Sequence, residues 1–404
     1  LKPISRDAMR AGLIPTVNGM AAAGLVSLPG MMTGQILAGV EPVEAVKYQI
    51  LIMFLIGGGT GLSALLRGLK HHVGGGRLRQ LTGVVTVTDD GGSSGRLRRE
   101  LGVLPPGDIR NCLVALADDE TLLARLFQYR FPVGGDLGGH SFGNLFLTAL
   151  TGITGDFHQA ILTAESILSV RGKVFPATLT DVVLAGRGIS GSTYQGETAI
   201  GSAHEQIVDI SIEPQAPPAF PPAVSALRRA DLIVLGPGSL FTSVLPNLLI
   251  PGIRQAIARA HVTAHQASTA RVYLLLNLMT QPGETDGMMG ADHLREVQRY
   301  LGEGLVHGVL ANSTPIPEDL AAHYEDTGSV PVRTERAALE AMGVEVVETD
   351  LLAEDVQETE LVRHDPAKLA RAVLDLAGRK DRGGRRGGMS GSDHPLGPRE
   401  GRGA

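Results

Sequence analysis

The sequence predicts a doubly wound α/β protein, a mostly parallel sheet with helices on both faces. Three observations lead there. The apolar run Ile52–Ile56 stops at Gly57-Gly58-Gly59, and Leu62, Leu65, Leu66 and Leu69 then recur at helical spacing. The β-branched run Leu81–Thr88 ends on Asp89-Asp90 and a Gly/Ser loop, with helical periodicity returning over Arg96–Leu101. The same strand–loop–helix order recurs where Ala230–Leu235 meets Gly236-Pro237-Gly238-Ser239. Successive units of this kind build a parallel sheet, and ligands then bind at the carboxyl ends of the strands.

Composition narrows the class. The 404 residues suffice for one large or two medium domains, and 43% hydrophobic content suits a globular core. A net charge of −6 gives no pull toward nucleic acid, and the absence of Trp argues against base-stacking platforms. A single cysteine, Cys112, rules out an internal disulfide framework and a cysteine-rich zinc site; in its apolar run it reads as a buried structural thiol.

Three segments are expected. Residues 1–49 are apolar and carry no charge between Arg10 and Glu41, so membrane association through residues 11–40 is conceivable, although Gly, Pro and Asn interrupt the run. Residues 50–377 hold the α/β domain. Residues 378–404 are Gly/Arg-rich and expected to be disordered.

Within the domain, the elements follow in order. Arg67 and Lys70 are expected on the wet face of the first helix, and His71–Arg79 as a loop. Asp108 is expected to cap a helix over Ile109–Ala117. Helices are expected over Leu122–Tyr129, Leu145–Leu150 and Phe157–Val170, and a hairpin-rich insertion over 178–214. A helix over Ile253–Ala260, strands at Val272–Asn277, Val309–Asn312 and Val344–Val347, and a last helix over Pro366–Leu376 capped by Asp365 complete the domain.

Four loops carry the candidate chemistry. Gly57, Gly58, Gly59, Thr60, Gly61 and Ser63 open a helix, whose bare amides and dipole favour a phosphate. The pattern lacks the Lys of a Walker A loop and the last glycine of a dinucleotide fingerprint, so an unliganded turn stays open. Asp89 and Asp90 could serve as acid/base groups, Mg²⁺ ligands, a ribose clamp or a loop-shaping Asx turn; adjacent strand residues face opposite ways, so one is expected to be structural. Ser93, Ser94 and Arg96 follow, Arg96 as a phosphate partner or a solvated helix residue. Asn111 lies one turn beyond Asp108. His140 and Asn144 begin another helix, the histidine as a neutral hydrogen-bond partner or a loop anchor. Gly236, Pro237, Gly238, Ser239 and Thr242 form the fourth loop. No His/Cys cluster suggests zinc, and no Gly-x-Ser-x-Gly elbow appears.

These motifs are recognisable. Gly57–Ser63, Thr88–Arg98, Leu104–Leu113, Gly139–Leu145, Leu235–Ser243 and Met279–Thr285 resemble the YvcK family of gluconeogenesis factors, in the superfamily of 2-phospho-L-lactate transferase (CofD), over about residues 56–376. Leu13–Met20 and Gly24–Val40, continuing to about Ile56, resemble a fragment of the FetB-like (UPF0014) ABC permeases, read as fused or mis-joined. The first resemblance implies a Rossmann-like core, a cytoplasmic protein, and binding of UDP-sugars such as UDP-N-acetylglucosamine. It further implies a role in cell-wall synthesis and cell shape during gluconeogenic growth, with no agreed reaction. Val362–Pro366 also matches the family and makes Arg363 a candidate for the ligand's diphosphate; Tyr324 could stack on uracil or sugar, or simply pack.

The expectation is a UDP-sugar-binding regulator. The glycine turn with Ser239 and Thr242 would hold the diphosphate, Asp89 or Asp90 the ribose or a metal, and Asn144 or Asn277 a polar ligand edge. An unidentified partner protein in cell-wall synthesis and a homo-oligomer are compatible with it. The rival is a Mg²⁺-dependent transferase of a phosphorylated group with Asp89 and Asp90 as metal ligands, although the aromatic deazaflavin-acceptor pattern of the phospholactate transferases is not found. A third reading, a membrane-tethered scaffold, rests only on residues 11–40.

Overall fold

A computed structural model describes residues 52–74, 78–118, 122–262 and 270–378. The apolar segment 1–49 and the tail beyond Gly378 lie outside the described residues, as does part of the His71–Arg79 loop.

The sheet has seven strands, all parallel. Strands β1 (Ile52–Gly57), β2 (Gln80–Val85) and β3 (Lys173–Pro176) form one wing. Strands β7 (Leu232–Leu235), β8 (Arg271–Leu275), β9 (Gly308–Asn312) and β10 (Glu345–Thr349) form the other, in the order β10-β9-β8-β7-β1-β2-β3. The order reverses between β1 and β7, so the two wings grow away from each other and a crevice opens at their carboxyl ends.

Alternation along the strands explains the layers. Leu232 and Val234 pack into one buried cluster with Leu62, Leu65, Leu113 and Leu369. Ile233 and Leu235 pack into the other, with Leu248, Ile253, Ile257 and Leu294. Successive side chains of one strand point to opposite faces, so each four-residue strand feeds two cores.

Helix α1 (Gly59–Leu69) follows β1, α2 (Gly92–Leu101) follows β2, and α3 (Gly107–Leu116), α4 (Leu122–Gln128), α5 (Phe142–Thr154) and α6 (Phe157–Leu168) lead to β3. The insertion is a separate antiparallel sheet, β5-β4-β6, built from β4 (Val183–Gly188), β5 (Thr193–Gln195) and β6 (Ile207–Glu213), with the short α7 (Glu197–Gly201) inside it. Helices α8 (Pro221–Leu227), α9 (Leu245–Leu248), α10 (Pro251–Val262), α11 (Gly290–Leu301), α12 (Glu318–Glu325), α13 (Arg336–Ala341), α14 (Val356–Thr359) and α15 (Pro366–Gly378) complete the chain. Asp365 caps α15 by accepting the Lys368 amide at 2.8 Å.

Two local readings need correction. Lys70 is not on a wet face: it is buried, and its Nζ donates to the Ala117 carbonyl at 2.6 Å. Asp108 does not cap α3, whose N-cap is Pro106; it sits inside the first turn and sends its carboxylate elsewhere. Among the described residues, no helix is long and apolar enough to cross a membrane.

Candidate functional site

A cleft of about 1210 Å³ opens at the β1/β7 reversal. One wall is the first turn of α1, with Thr60, Gly61 and Ser63; facing it are Pro237, Gly238 and Ser239 of the loop after β7. The two loops touch. A methyl group built on Gly61 would stand 2.6 Å from the Pro237 carbonyl oxygen, and one on Gly58 would stand 2.5 Å from the Asp108 carboxylate. Glycine is required at both places because backbone and carboxylate fill the space a side chain would need.

The four expected loops do not act as one rim. Gly57–Ser63 and Gly236–Ser243 border the cleft. The loops holding Asp89–Arg96 and His140–Asn144 bind each other instead: Ser93 Oγ lies 3.0 Å from His140 Nδ1, the Ser141 amide donates to Ser93 Oγ, and Asn144 Nδ2 donates to Ser94 Oγ at 3.3 Å. Arg96 is spent on the Gly138 carbonyl at 2.7 Å. Burial and the nearby Arg96 push the His140 pKa down.

The two aspartates diverge. Asp90 accepts from the Thr198 amide at 2.9 Å and the Thr198 hydroxyl at 2.8 Å, tying α7 and its insertion to the end of β2. Asp89 accepts from the Gly91 amide and lies against Gly107 beside Ser94. Among the described residues, no set of three or more carboxylate, His or Cys groups is arranged to hold a metal ion.

Asp108 closes the back of the glycine turn. It accepts from the Gly59 amide; burial above all, and then Asp89, push its pKa up to about 6. Glu197, accepting from Thr88 Oγ1, is also raised well above the carboxylate range by burial and then by Asp108. The α1 amides left for a ligand are therefore those of Thr60 and Gly61, which have no intrahelical acceptor because they lie in the first turn.

Several amides of the loop after β7 are bonded within the protein. Gly236 donates to the Ile56 carbonyl at 2.8 Å, and Gly238 to Asn277 Oδ1 at 3.2 Å. Asn277 Nδ2 returns to the Gly238 carbonyl, so Asn277 braces the loop. Thr242 Oγ1 donates to Glu284 at 3.0 Å, and that buried carboxylate also accepts from the Phe241 and Thr242 amides. The Thr242 hydroxyl, expected to meet a phosphate, is here bonded to Glu284. Ser239 still borders the cleft, its Oγ accepting from Gln281 at 2.7 Å.

The far wall comes from the carboxyl-terminal part of the chain. Tyr324 faces the cleft, its hydroxyl accepting from the Val362 amide at 3.1 Å. Arg363 lies beside it, paired with Asp355. His364, pushed by burial down to about 4, keeps a buried Nε2 without a hydrogen-bond partner. Three lining arginines escaped the sequence reading: Arg67, Arg110 and Arg130. The signal for Arg67 was present, since it stands one helical turn after Ser63 and two after Thr60; Arg130, brought in beyond α4, had none.

A parallel sheet with its cleft at the topological reversal and a helix amino-terminus on the rim define a doubly wound α/β protein of the CofD-like kind. The comparisons place it further: residues 53–352 match the family 2-phospho-L-lactate transferase CofD, and the chain belongs to that family. Residues 1–71 match an uncharacterised protein family, UPF0014. The chain is 49% identical to a gluconeogenesis factor of Nostoc sp. over 80% of its own length and 68% of the relative's. It is 44% identical to the gluconeogenesis factor of Bacillus subtilis over 80% and 96% of the two chains. The crystal structure of protein BH3568 from Bacillus halodurans superposes with a TM-score of 0.74 at 43% identity, covering 80% of this chain and 99% of that one.

Proposed function

We propose that the cleft binds a nucleoside-diphosphate sugar of the UDP-N-acetylglucosamine type. On this reading the protein is a cytoplasmic regulatory factor for cell-wall synthesis and cell shape during gluconeogenic growth. The observation that carries the ligand assignment is the meeting of the α1 amino-terminus with the β1/β7 reversal, which offers the Thr60 and Gly61 amides to an anion. In this reading the diphosphate sits on those amides with the Ser239 hydroxyl, Arg363 closes on it, and Tyr324 stacks on the uracil or the sugar. The names and sequence likeness of the gluconeogenesis factors support the regulatory half of the reading.

A Mg²⁺-dependent transfer of a phosphorylated group, as the CofD name suggests, draws less support here. One of its two expected metal ligands, Asp90, already accepts two hydrogen bonds from Thr198 through a single carboxylate oxygen. Calorimetry with UDP-N-acetylglucosamine, with and without Mg²⁺, separates the readings. Saturable binding without consumption of the nucleotide supports the sensor; Mg²⁺-dependent turnover supports the transferase; no heat and no turnover would defeat both.

A further inference from the structure

Arg67 of α1, Arg110 of α3 and Arg130 of the segment after α4 line the same cleft, and Arg110 and Arg130 lie near enough for the charge of one to act on the other. Among the described residues, none of them lies within ion-pair distance of a carboxylate. Arg110 spends one nitrogen on the side chain of Asn111, and Arg130 spends one on the Gly139 carbonyl at 2.8 Å. Arg110 Nε is buried with no partner. The Arg110 stem is fixed, because it lies so close to Gly143 that a methyl group there would stand 2.8 Å from its Cδ.

Burying an unpaired donor and crowding like charges both cost free energy. Burial and the Arg130 charge depress the Arg110 pKa, which registers that cost; Asp108 and Asp89 offset it only at longer range. Each guanidinium uses one nitrogen on the protein and pairs with no carboxylate, and a planar fork with donors to spare suits an oxyanion. The cleft, at about 1210 Å³, also exceeds the roughly 300–1,000 Å³ that a small-molecule site commonly occupies.

We propose that the part of the cleft between Arg110 and Arg130 is an oxyanion subsite, in which these two side chains clamp a phosphoryl or carboxylate group of a small molecule, with Arg67 lining the same cleft. That group belongs either to a second molecule bound together with the nucleotide sugar or to the nucleotide sugar itself. The inference stands on the arginines and does not require the UDP-sugar reading.

The test titrates inorganic phosphate into the full chain by calorimetry at constant ionic strength, for wild type, R110Q and R130Q, with and without saturating UDP-N-acetylglucosamine. The expected result is wild-type binding weakened at least tenfold by either substitution, with circular dichroism and Tm of R130Q unchanged. Equal phosphate affinity with the nucleotide sugar present identifies a second molecule as the source; competition identifies the nucleotide sugar's own group. Phosphate binding without UDP-N-acetylglucosamine binding upholds the subsite while removing the proposed function. Phosphate affinity identical in wild type, R110Q and R130Q, or no phosphate binding at all, overturns the subsite.

Discussion

Asp108 holds a charge in an unfavourable place. Its carboxyl is pushed up to about 6, above the ordinary aspartate range expected of the unfolded chain. The folded protein therefore binds more protons between about pH 4 and pH 6, and stability falls as pH rises through that window, then levels off. D108N keeps an acceptor for the Gly59 amide and removes the charge. It should raise stability at pH 7.5 by up to about 3 kcal/mol, a gain that disappears below about pH 4. Denaturant unfolding of both proteins across pH checks this. The same carboxylate repels an anion on the neighbouring amides. UDP-N-acetylglucosamine should bind several-fold more tightly at pH 5.5 than at pH 7.5, and D108N should flatten that dependence in calorimetry. Arg363 offers a parallel case: it is exposed and paired with Asp355. Exposed pairs contribute about 0–1 kcal/mol, so D355N should leave the Tm nearly unchanged and tighten the nucleotide sugar by up to several-fold.

Among the elements, the contact between α1 and the loop after β7 matters most. Gly61 lies against the Pro237 carbonyl with no room for a methyl group, so G61A must push the two cleft walls apart. We expect a loss of about 1–3 kcal/mol in unfolding free energy, in the range of an overpacked interior position, together with at least tenfold weaker nucleotide-sugar binding. Equal stability and affinity in G61A would contradict the close approach of these loops. This junction also marks how far the sequence could be read. The three apolar–glycine–helix units were visible because each is local: the period changes and the glycines stand within a dozen residues. What the amides do was not visible, because their acceptors come from distant parts of the chain. Glu284 reaches the Phe241 and Thr242 amides from beyond β8, and Asn277 braces Gly238 from the same side. The hydrogen-bonded knot of Ser93, Ser94, His140 and Asn144 was hidden for the same reason: its two halves are nearly fifty residues apart, and only the packing of α5 against α2 joins them.

For the molecule as a whole, the strand order decides where the site lies. The sequence supported a parallel sheet, but the reversal between β1 and β7 requires β7 to pair with β1 after an excursion through β2, β3 and the insertion, which no local pattern encodes. That pairing brings the Gly57–Ser63 and Gly236–Ser243 loops together and leaves the Asp89 and His140 loops behind the turn. It also brings arginines from α1, α3 and the segment after α4 to the same cleft, although the chain as a whole has a net charge of −6. The family match over residues 53–352 and the two cores built on the sheet imply that residues 50–377 are enough. A chain reduced to those residues should unfold cooperatively and bind the nucleotide sugar with the affinity of the full chain, as calorimetry would show.

The claim under all of these is that an anion rests on the first turn of α1 at the strand-order reversal. A crystal structure of the chain with UDP-N-acetylglucosamine tests it most directly. The account predicts diphosphate oxygens within hydrogen-bonding distance of the Thr60 and Gly61 amides; density placing the diphosphate away from that turn, or no bound nucleotide at saturating concentration, would contradict it.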